Sequence, residues 1–276
     1  MVKTYIPVLS IAGSDSGGGA GIQADLKTFS ALGCYGMTVI TATTAQNTKG
    51  VRSINSIPVK HIREQLEAIL EDIYPKAIKI GMVNQPEVAI AIADMLKNHP
   101  KVPIVFDPVM VATSGDRLIA FDTIQVLKET LFPISTLLTP NLDEATILSG
   151  LEVNSENLME ASGREIVNMG CQAVLIKGGH LKNPIVKDLL IQKGEKAITF
   201  ESQYVNTKNL HGTGCTLSSA IAAELAKGNS MPVAITNAKS YINGAIESGK
   251  DITTGSGHGP LNHFYEPQKQ IIDEVE

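Results

Sequence analysis

The sequence predicts a three-layer α/β fold, in which a central, mostly parallel sheet lies between two layers of helices. Short apolar runs rich in β-branched residues alternate with amphipathic helical segments between residues 8 and 177. A polar residue or a glycine follows most of these runs. The 276 residues, 43% of them hydrophobic, suffice for one large core, and no linker or repeat divides them. We therefore expect a single domain over residues 1–276.

Hydrophobic periodicity assigns the elements in chain order. Strands are predicted over residues 8–12, 36–45, 77–82, 103–107, 136–140 and 173–177. Helices are predicted from Ile22, before each of the last two strands, and over residues 59–74, 86–97, 217–227 and 232–248. The segments 186–192 and 197–200 flank a polar turn and predict a β-hairpin, which we expect at an antiparallel edge of the sheet.

The composition argues against several classes of protein. The net charge of −5 and the lack of a basic stripe argue against nucleic-acid binding. Three widely spaced cysteines predict neither a disulfide framework nor a zinc site. The N-terminus lacks the pattern of a signal peptide, and no apolar run approaches the ~20 residues of a membrane span. We expect a cytoplasmic protein that does not associate with membranes.

Polar groups recur where the predicted strands end. Asp107, Asn141 and Lys177 each follow an apolar strand, Gln46 follows another, and the glycine-rich loop 13–21 follows the first. In an open α/β sheet, ligands bind at the carboxyl ends of the strands. The loop is not a Walker A motif, because no Gly-Lys-Ser/Thr follows it. Each Asp or Asn singly could be a turn residue, but together these groups predict a ligand site.

A glycine-bracketed turn, His-Gly-Thr-Gly-Cys-Thr, leads directly into the helix predicted over 217–227. Free N–H groups and the positive end of the helix dipole make such a turn a candidate anion site. In the positive electrostatic field at this helix N-terminus, we expect the thiol of Cys215 to ionise more easily than a free thiol. The alternatives are a plain tight turn with Cys215 as buried filler and, for His211, a structural hydrogen bond instead of a role as general base.

Taken together, these groups meet the needs of phosphoryl transfer. That reaction requires donors around the moving phosphate, oxygen ligands for Mg²⁺ and a base for the accepting hydroxyl. A serine hydrolase is disfavoured, since no Gly-x-Ser-x-Gly follows a strand.

The Gly-Thr-Gly-Cys run resembles the Gly-x-Gly-Asp signature of the ribokinase-like superfamily, with cysteine in place of aspartate. This exchange is similar to the branch that holds the hydroxymethylpyrimidine/phosphomethylpyrimidine kinases of thiamine synthesis and related pyridoxal kinases. The likeness covers almost the whole chain, with motifs at residues 11–29, 45–48, 78–82, 107–109, 139–145, 176–180 and 257–260. The resemblance implies a ribokinase-like fold without a separate lid domain, and a homodimer.

The resemblance also implies roles for individual residues. On the substrate side, it matches four residues to the pocket for the pyrimidine: Gly13, Asp25, Gln46 and Met82. The amide of Gln46 suits an aminopyrimidine because it can both donate and accept a hydrogen bond.

On the phosphate side, the resemblance matches Lys177 and Thr213 to ATP-binding positions. Three residues match the oxygen ligands near Mg²⁺, acting directly or through water: Asp107, Asn141 and Glu144. The anion hole is formed by Gly212, Thr213 and Gly214. Cys215 takes the position of the catalytic base, a role that requires a lowered pKa.

The reaction implied is the ATP- and Mg²⁺-dependent phosphorylation of 4-amino-5-hydroxymethyl-2-methylpyrimidine, and then of its monophosphate to the diphosphate. A pyridoxal kinase of the same branch is the alternative, although residues 45–48 favour the pyrimidine. A catalytically silent ligand-binding protein is the alternative from another class. Loops over residues 111–118 and 206–211 are candidates for closure over the site, because glycine and small polar residues loosen them.

Overall fold

A computed structural model describes residues 2–97, 102–110, 119, 121–179 and 184–275. The strands are β1 (Val2–Tyr5), β2 (Pro7–Asp15), β3 (Tyr35–Asn47), β4 (Gly50–Ser56), β5 (Ala77–Ile80), β6 (Ile104–Phe106), β7 (Leu137–Leu138), β8 (Ala173–Ile176), β9 (Ile185–Gln192), β10 (Ile198–Gln203) and β11 (Ile272–Val275). The helices are α1 (Gly21–Ala31), α2 (Val59–Leu70), α3 (Pro86–Lys97), α4 (Phe121–Thr130), α5 (Leu142–Ser149), α6 (Glu156–Asn168), α7 (Thr213–Ala226) and α8 (Met231–Gly249).

Nine of these strands form one sheet in the order β10-β9-β8-β7-β6-β5-β2-β3-β4. The central pairs from β8 to β3 are parallel, whereas the outer pairs β10·β9, β9·β8 and β3·β4 are antiparallel. The predicted mostly parallel sheet and the hairpin at its edge are therefore confirmed. Strand β2 lies between β3 and β5, so the connections diverge at β2 and open a crevice at the carboxyl ends.

Alternating strand residues divide the core between the two faces of the sheet. Leu9 and Ile11 of β2 pack with helices α2 to α6, whereas Val8 packs with α1, α7 and α8. This alternation follows from the two-residue period of a strand. On the second face, several buried residues of α7 and α8 are alanines, whose small side chains let the two helices pack closely on each other. The three predicted layers are thus confirmed.

Two features were not predicted. Strand β4 pairs with β3 and makes the outer edge of the sheet next to the carboxyl end of β3. Strands β1 and β11 form a separate two-stranded ribbon that joins the two ends of the chain. Within the described residues, no helix is long and apolar enough to cross a lipid bilayer.

Candidate functional site

The carboxyl ends of the strands border a cavity of about 730 Å³. Its wall includes most of the residues that the sequence singled out: Gly13, Gln46, Met82, Asp107, Asn141, Glu144, Lys177, Gly212, Thr213, Gly214 and Cys215. Sheet order arranges them along the cavity. Residues at the carboxyl ends of β3 and β2 and after β5 lie at one end, those that follow β6 and β8 lie in the middle, and β9, β10 and α8 close the other end.

The first end of the cavity is shaped by Gly13, Gln46 and Met82. A side chain at Gly13 would begin 2.5 Å from the Met82 Cε atom, so the methionine packs directly on the backbone of β2. The Gln46 Oε1 atom accepts a hydrogen bond of 3.1 Å from Thr44. The same Thr44 hydroxyl, which has a single proton, also lies 3.0 Å from the Ser14 carbonyl oxygen, so the Gln46 amide keeps both donor and acceptor capacity for a ligand. This end therefore offers an apolar contact beside an amide.

The middle of the cavity holds a buried ion pair. The Lys177 Nζ atom lies 2.9 Å from Asp107 Oδ1, which also accepts a 3.1 Å hydrogen bond from Thr139. Although burial alone would lower it, the nearby carboxylates hold the pKa of Lys177 above its usual value. A Cβ on Gly214 would lie 3.3 Å from both Asp107 Oδ2 and Lys177 Nζ. The N-terminus of α7 thus directly abuts the ion pair.

The glycines around the start of α7 are required by its geometry. Gly212 precedes the helix with φ of +85°, and no side chain caps the helix. The N–H of Thr213 donates to Leu210, and that of Thr216 donates to Gly212. Because the first N–H groups of a helix lack intrahelical partners, those of Gly214 and Cys215 can donate to an anion at the cavity wall.

The expectation of an easily ionised Cys215 is wrong. Desolvation in the cavity raises the pKa of its thiol to about 11, even though the Lys79 ammonium acts in the opposite direction. The carboxylates of Asp25 and Asp107 raise this pKa further. The sequence reveals the helix terminus but not these two negative charges. In the structure, Cys215 is therefore a thiol at neutral pH.

Asn141 and Glu144 serve the start of helix α5 as well as the cavity. The Asn141 Oδ1 atom accepts the Glu144 N–H at 2.9 Å, and Glu144 Oε2 accepts the Asn141 N–H at 2.8 Å. This reciprocal pair is a capping box. Burial raises the pKa of Glu144 to about 7, with Lys177 lowering it and Asp107 raising it. The sequence analysis missed the capping role of both residues.

Asp25 lies beneath the cavity and is not among the residues that line it. Its carboxylate is fully buried and accepts hydrogen bonds from Ser10 at 2.5 Å, from Ser219 at 2.7 Å and from Lys79 at 2.8 and 2.9 Å. Lys79 does line the cavity, and it was missed because it lies within an apolar strand. Direct contact of Asp25 with a substrate is thus not supported, and its charge reaches the cavity through Lys79.

The far end of the cavity was also missed. It carries another buried ion pair, in which Lys239 of α8 meets Asp188 of β9 at 2.5 Å. Asp188 in turn accepts the N–H of Gly178 at 2.9 Å, directly after Lys177. The remaining wall is mainly apolar and comes from several elements: Ile147, Val186, Val205, Leu217, Ile242 and Ile246.

Of the two loops predicted as candidates for closure over the site, residues 111–118 lie outside the described part of the chain. In the segment 206–211, Asn209 is buried and its amide donates to the carbonyls of Gly249 and Ile252, both at 2.7 Å. These bonds tie the segment to the end of α8, so it is not the loosely held loop expected from composition.

Comparison with known proteins agrees with this site. The family model for phosphomethylpyrimidine kinase matches residues 15–262. A hydroxymethylpyrimidine/phosphomethylpyrimidine kinase from Rhizobium meliloti is 48% identical over 93% of this chain and 96% of its own. The chain belongs to the phosphomethylpyrimidine kinase family. A phosphomethylpyrimidine kinase structure from Clostridium difficile has a TM-score of 0.77 and 46% identity, covering 87% of this chain and 99% of its own.

The family fold extends to kinases of another vitamin. The pyridoxal kinase from Staphylococcus aureus, solved in complex with AMP-PCP, has a TM-score of 0.88 at 34% identity, covering 99% of this chain and 100% of its own. The ribokinase-like fold is thus confirmed. AMP-PCP is an analogue of ATP, so the use of ATP agrees with both the family and this neighbour.

Proposed function

We propose that the protein transfers the γ-phosphoryl group of ATP to the hydroxymethyl oxygen of 4-amino-5-hydroxymethyl-2-methylpyrimidine. It then phosphorylates the monophosphate to the diphosphate, in thiamine biosynthesis. The observation that carries the proposal is the meeting of Asp107, Lys177 and Gly214 in the middle of one cavity. A cation, a carboxylate and a helix N-terminus therefore lie together between the end of the cavity that carries the Gln46 amide and its apolar end.

In this proposal, the nucleotide occupies the half of the cavity formed by β8, β9 and α8. The apolar residues Val186, Val205 and Ile242 suit the faces of a nucleobase, and Lys177 then meets the phosphates. Thr213 and the N–H groups of the first turn of α7 bind the phosphoryl group while it is transferred. Such donors stabilise the negative charge that spreads over the equatorial oxygens in the transition state.

The residues in the middle of the cavity fit a Mg²⁺ ion. Asp107 and Glu144 bring two buried carboxyl groups together beside Lys177, and burial, with a smaller effect of Asp107, raises the pKa of Glu144. Mg²⁺ prefers oxygen ligands and takes one or two carboxylates together with water and phosphate oxygens. We propose that Asp107 and Glu144 hold it, with Asn141 assisting through its amide. Bound there, Mg²⁺ would neutralise charge on the phosphates.

Cys215 is the proposed acceptor of the hydroxyl proton. As the acceptor oxygen bonds to the γ-phosphorus and ADP leaves, its proton passes to the sulfur. Because the pKa of the thiol is about 11 in the structure, this role requires Cys215 to lose its own proton to solvent before the cavity closes around the reactants. The nearby Lys79 ammonium favours that thiolate.

The acceptor is tested by measuring ADP production with hydroxymethylpyrimidine, its monophosphate and pyridoxal at saturating ATP and Mg²⁺. We expect kcat/KM for both pyrimidines to exceed that for pyridoxal at least tenfold. Preference for pyridoxal, which the likeness to pyridoxal kinases makes the second candidate, would contradict the pyrimidine assignment. Tight binding of a pyrimidine without ADP production would identify a silent binding protein.

Gln46 provides a sharper test of the acceptor pocket. We expect Gln46→Ala to raise the KM for the pyrimidine about tenfold or more, because one hydrogen bond to a polar edge contributes on the order of 1–2 kcal/mol. The KM for ATP should be unchanged. The matched control is Asn47→Ala at the next residue, which is exposed and does not line the cavity.

We further propose that residues 1–276 act as one kinase domain, in a homodimer in the cytoplasm. The dimer is what the family resemblance implies, and the location is the expectation from the sequence. Analytical ultracentrifugation at micromolar concentration tests the dimer, and a sedimentation coefficient of a 29.4 kDa monomer would contradict it.

A further inference from the structure

Asp15 and His211 form a buried pair that the reaction described above does not use. The Asp15 Oδ2 atom lies 2.8 Å from His211 Nε2, and both side chains are less than a tenth exposed. The same carboxylate accepts the N–H groups of Gly17 at 2.7 Å, Gly19 at 3.1 Å and Ala20 at 2.9 Å. One aspartate thus gathers three backbone donors of residues 14–21, which we call the acceptor loop, and one side chain from outside it.

The same pair brings two backbone segments into direct contact. A Cβ on Gly19 would lie 2.4 Å from the His211 ring, so the ring packs directly on the acceptor loop. A Cβ on Gly212 would lie 1.8 Å from the Gly19 carbonyl oxygen. His211 directly precedes Gly212, the residue before α7. The acceptor loop and the anion hole are therefore held together at a contact with no room for a side chain.

We propose that Asp15 and His211 are positioning residues, which hold the acceptor loop against the N-terminus of α7 and so fix the separation between the acceptor hydroxyl and the anion hole. This inference rests on the proposed function, since it takes the acceptor to lie at the end of the cavity near Gly13. Displacement of a reacting group by about 1 Å can lower a rate about 100-fold. The pair therefore acts on kcat more than on nucleotide binding.

The first experiment measures kcat and the KM for ATP in His211→Ala, His211→Gln and Gly19→Ala. Gln can present an N–H where histidine presents Nε2, but it cannot carry a proton. We expect His211→Ala to lower kcat at least tenfold with the KM for ATP changed less than threefold. His211→Gln should recover kcat to within threefold of the wild type. Gly19→Ala, which displaces the ring without removing it, should resemble His211→Ala.

Three results would overturn the inference. A kcat of His211→Ala within twofold of the wild type would show that the pair does not position the reactants. Failure of His211→Gln to recover would instead make the histidine a proton carrier. A rise in the KM for ATP alone would assign it to nucleotide binding. The matched control is His263→Gln, which perturbs a buried 3.0 Å contact with Thr216 on the same turn of α7 but does not touch the acceptor loop. Its kcat should stay within threefold.

A second readout does not depend on turnover. Hydrogen exchange followed by mass spectrometry reports the amides of residues 17–20, which donate to Asp15, and, within residues 213–216, those of Thr213 and Thr216, which donate to Leu210 and Gly212. In His211→Ala, both groups should exchange at least tenfold faster, whereas in His263→Gln only the second should change. Faster exchange confined to 213–216 in His211→Ala would refute the coupling. If the wild type phosphorylates none of the acceptors, the proposed function fails while this exchange result still decides the role of the pair.

Discussion

Replacement of Gly212 by alanine tests the anion hole in one step. Gly212 has φ of +85°, a conformation that costs a non-glycine residue about 1–2 kcal/mol. The new Cβ would also lie 1.8 Å from the Gly19 carbonyl oxygen, whereas real Cβ atoms essentially never come within 3.0 Å of a neighbour. Because both partners are backbone, they must separate by about 1.2 Å or more. We expect a total destabilisation of about 2–4 kcal/mol.

The same displacement moves the start of α7 away from its position beside Asp107 and Lys177. A shift of this size predicts a kcat at least ~100-fold below that of the wild type. The affinity for AMP-PCP should fall less, because the apolar end of the cavity is untouched. The assays are ADP production with the preferred acceptor, calorimetric titration with AMP-PCP and thermal unfolding to confirm that the variant is folded.

Gly228→Ala is the matched control at the other end of α7. Gly228 has φ of +89°, but a Cβ there meets nothing within 4 Å. This variant carries the cost of the conformation, about 1–2 kcal/mol, without the clash. Its kcat should remain within twofold of the wild type. A folded Gly212→Ala protein with kcat within threefold of the wild type, or equal losses in both variants, would refute the assignment of the anion hole.

Three further predictions concern charge in the cavity. Cys215→Ala should lower kcat at least 100-fold in a folded protein, and Cys215→Asp should recover activity above the alanine variant if the residue accepts a proton; equal activity in both would contradict that role. Lys177→Met leaves the Asp107 carboxylate buried without its cation and should cost about 3–5 kcal/mol of stability, less when combined with Asp107→Asn, as urea unfolding would measure. The Asp15 pKa is lowered, because hydrogen bonds from His211 and backbone N–H groups outweigh burial. Its contribution to stability is therefore present above its usual pKa of 3.8 and lost as pH falls through the lower folded value, so acid unfolding below about pH 4 should be less steep in Asp15→Asn.

The layers and the central strands could be predicted because their hydrophobic patterns are local. Strand β4 could not, because Gly50–Ser56 is polar and half-exposed, as expected of an edge strand but equally of a loop. The ribbon of β1 and β11 pairs residues at opposite ends of the chain, such as Val2 with Val275. No local pattern specifies such a pairing.

The groups at the strand ends could be predicted for a similar reason. Parallel strands bring their carboxyl ends to one edge, so Asp107 and Lys177 are expected at the same edge of the sheet, although their direct contact is not. The charge balance of the cavity could not be predicted, because it depends on partners distant in sequence. Lys79 meets Asp25 across 54 positions, and His211 meets Asp15 across 196. The predicted direction of the Cys215 pKa shift was wrong mainly because burial desolvates the thiol, and the sequence does not show that burial.

The central claim is that one cavity performs both phosphoryl transfers. Its most direct test is to identify the product that forms when all the hydroxymethylpyrimidine has been consumed with excess ATP and Mg²⁺. Mass spectrometry and ³¹P NMR would identify the pyrimidine product, and the amount of ADP formed would be compared with the amount of pyrimidine consumed. If one cavity performs both transfers, the pyrimidine diphosphate accumulates with two ADP per pyrimidine. A reaction that forms no phosphorylated pyrimidine, while pyridoxal is converted to its phosphate in a parallel sample, would contradict the account.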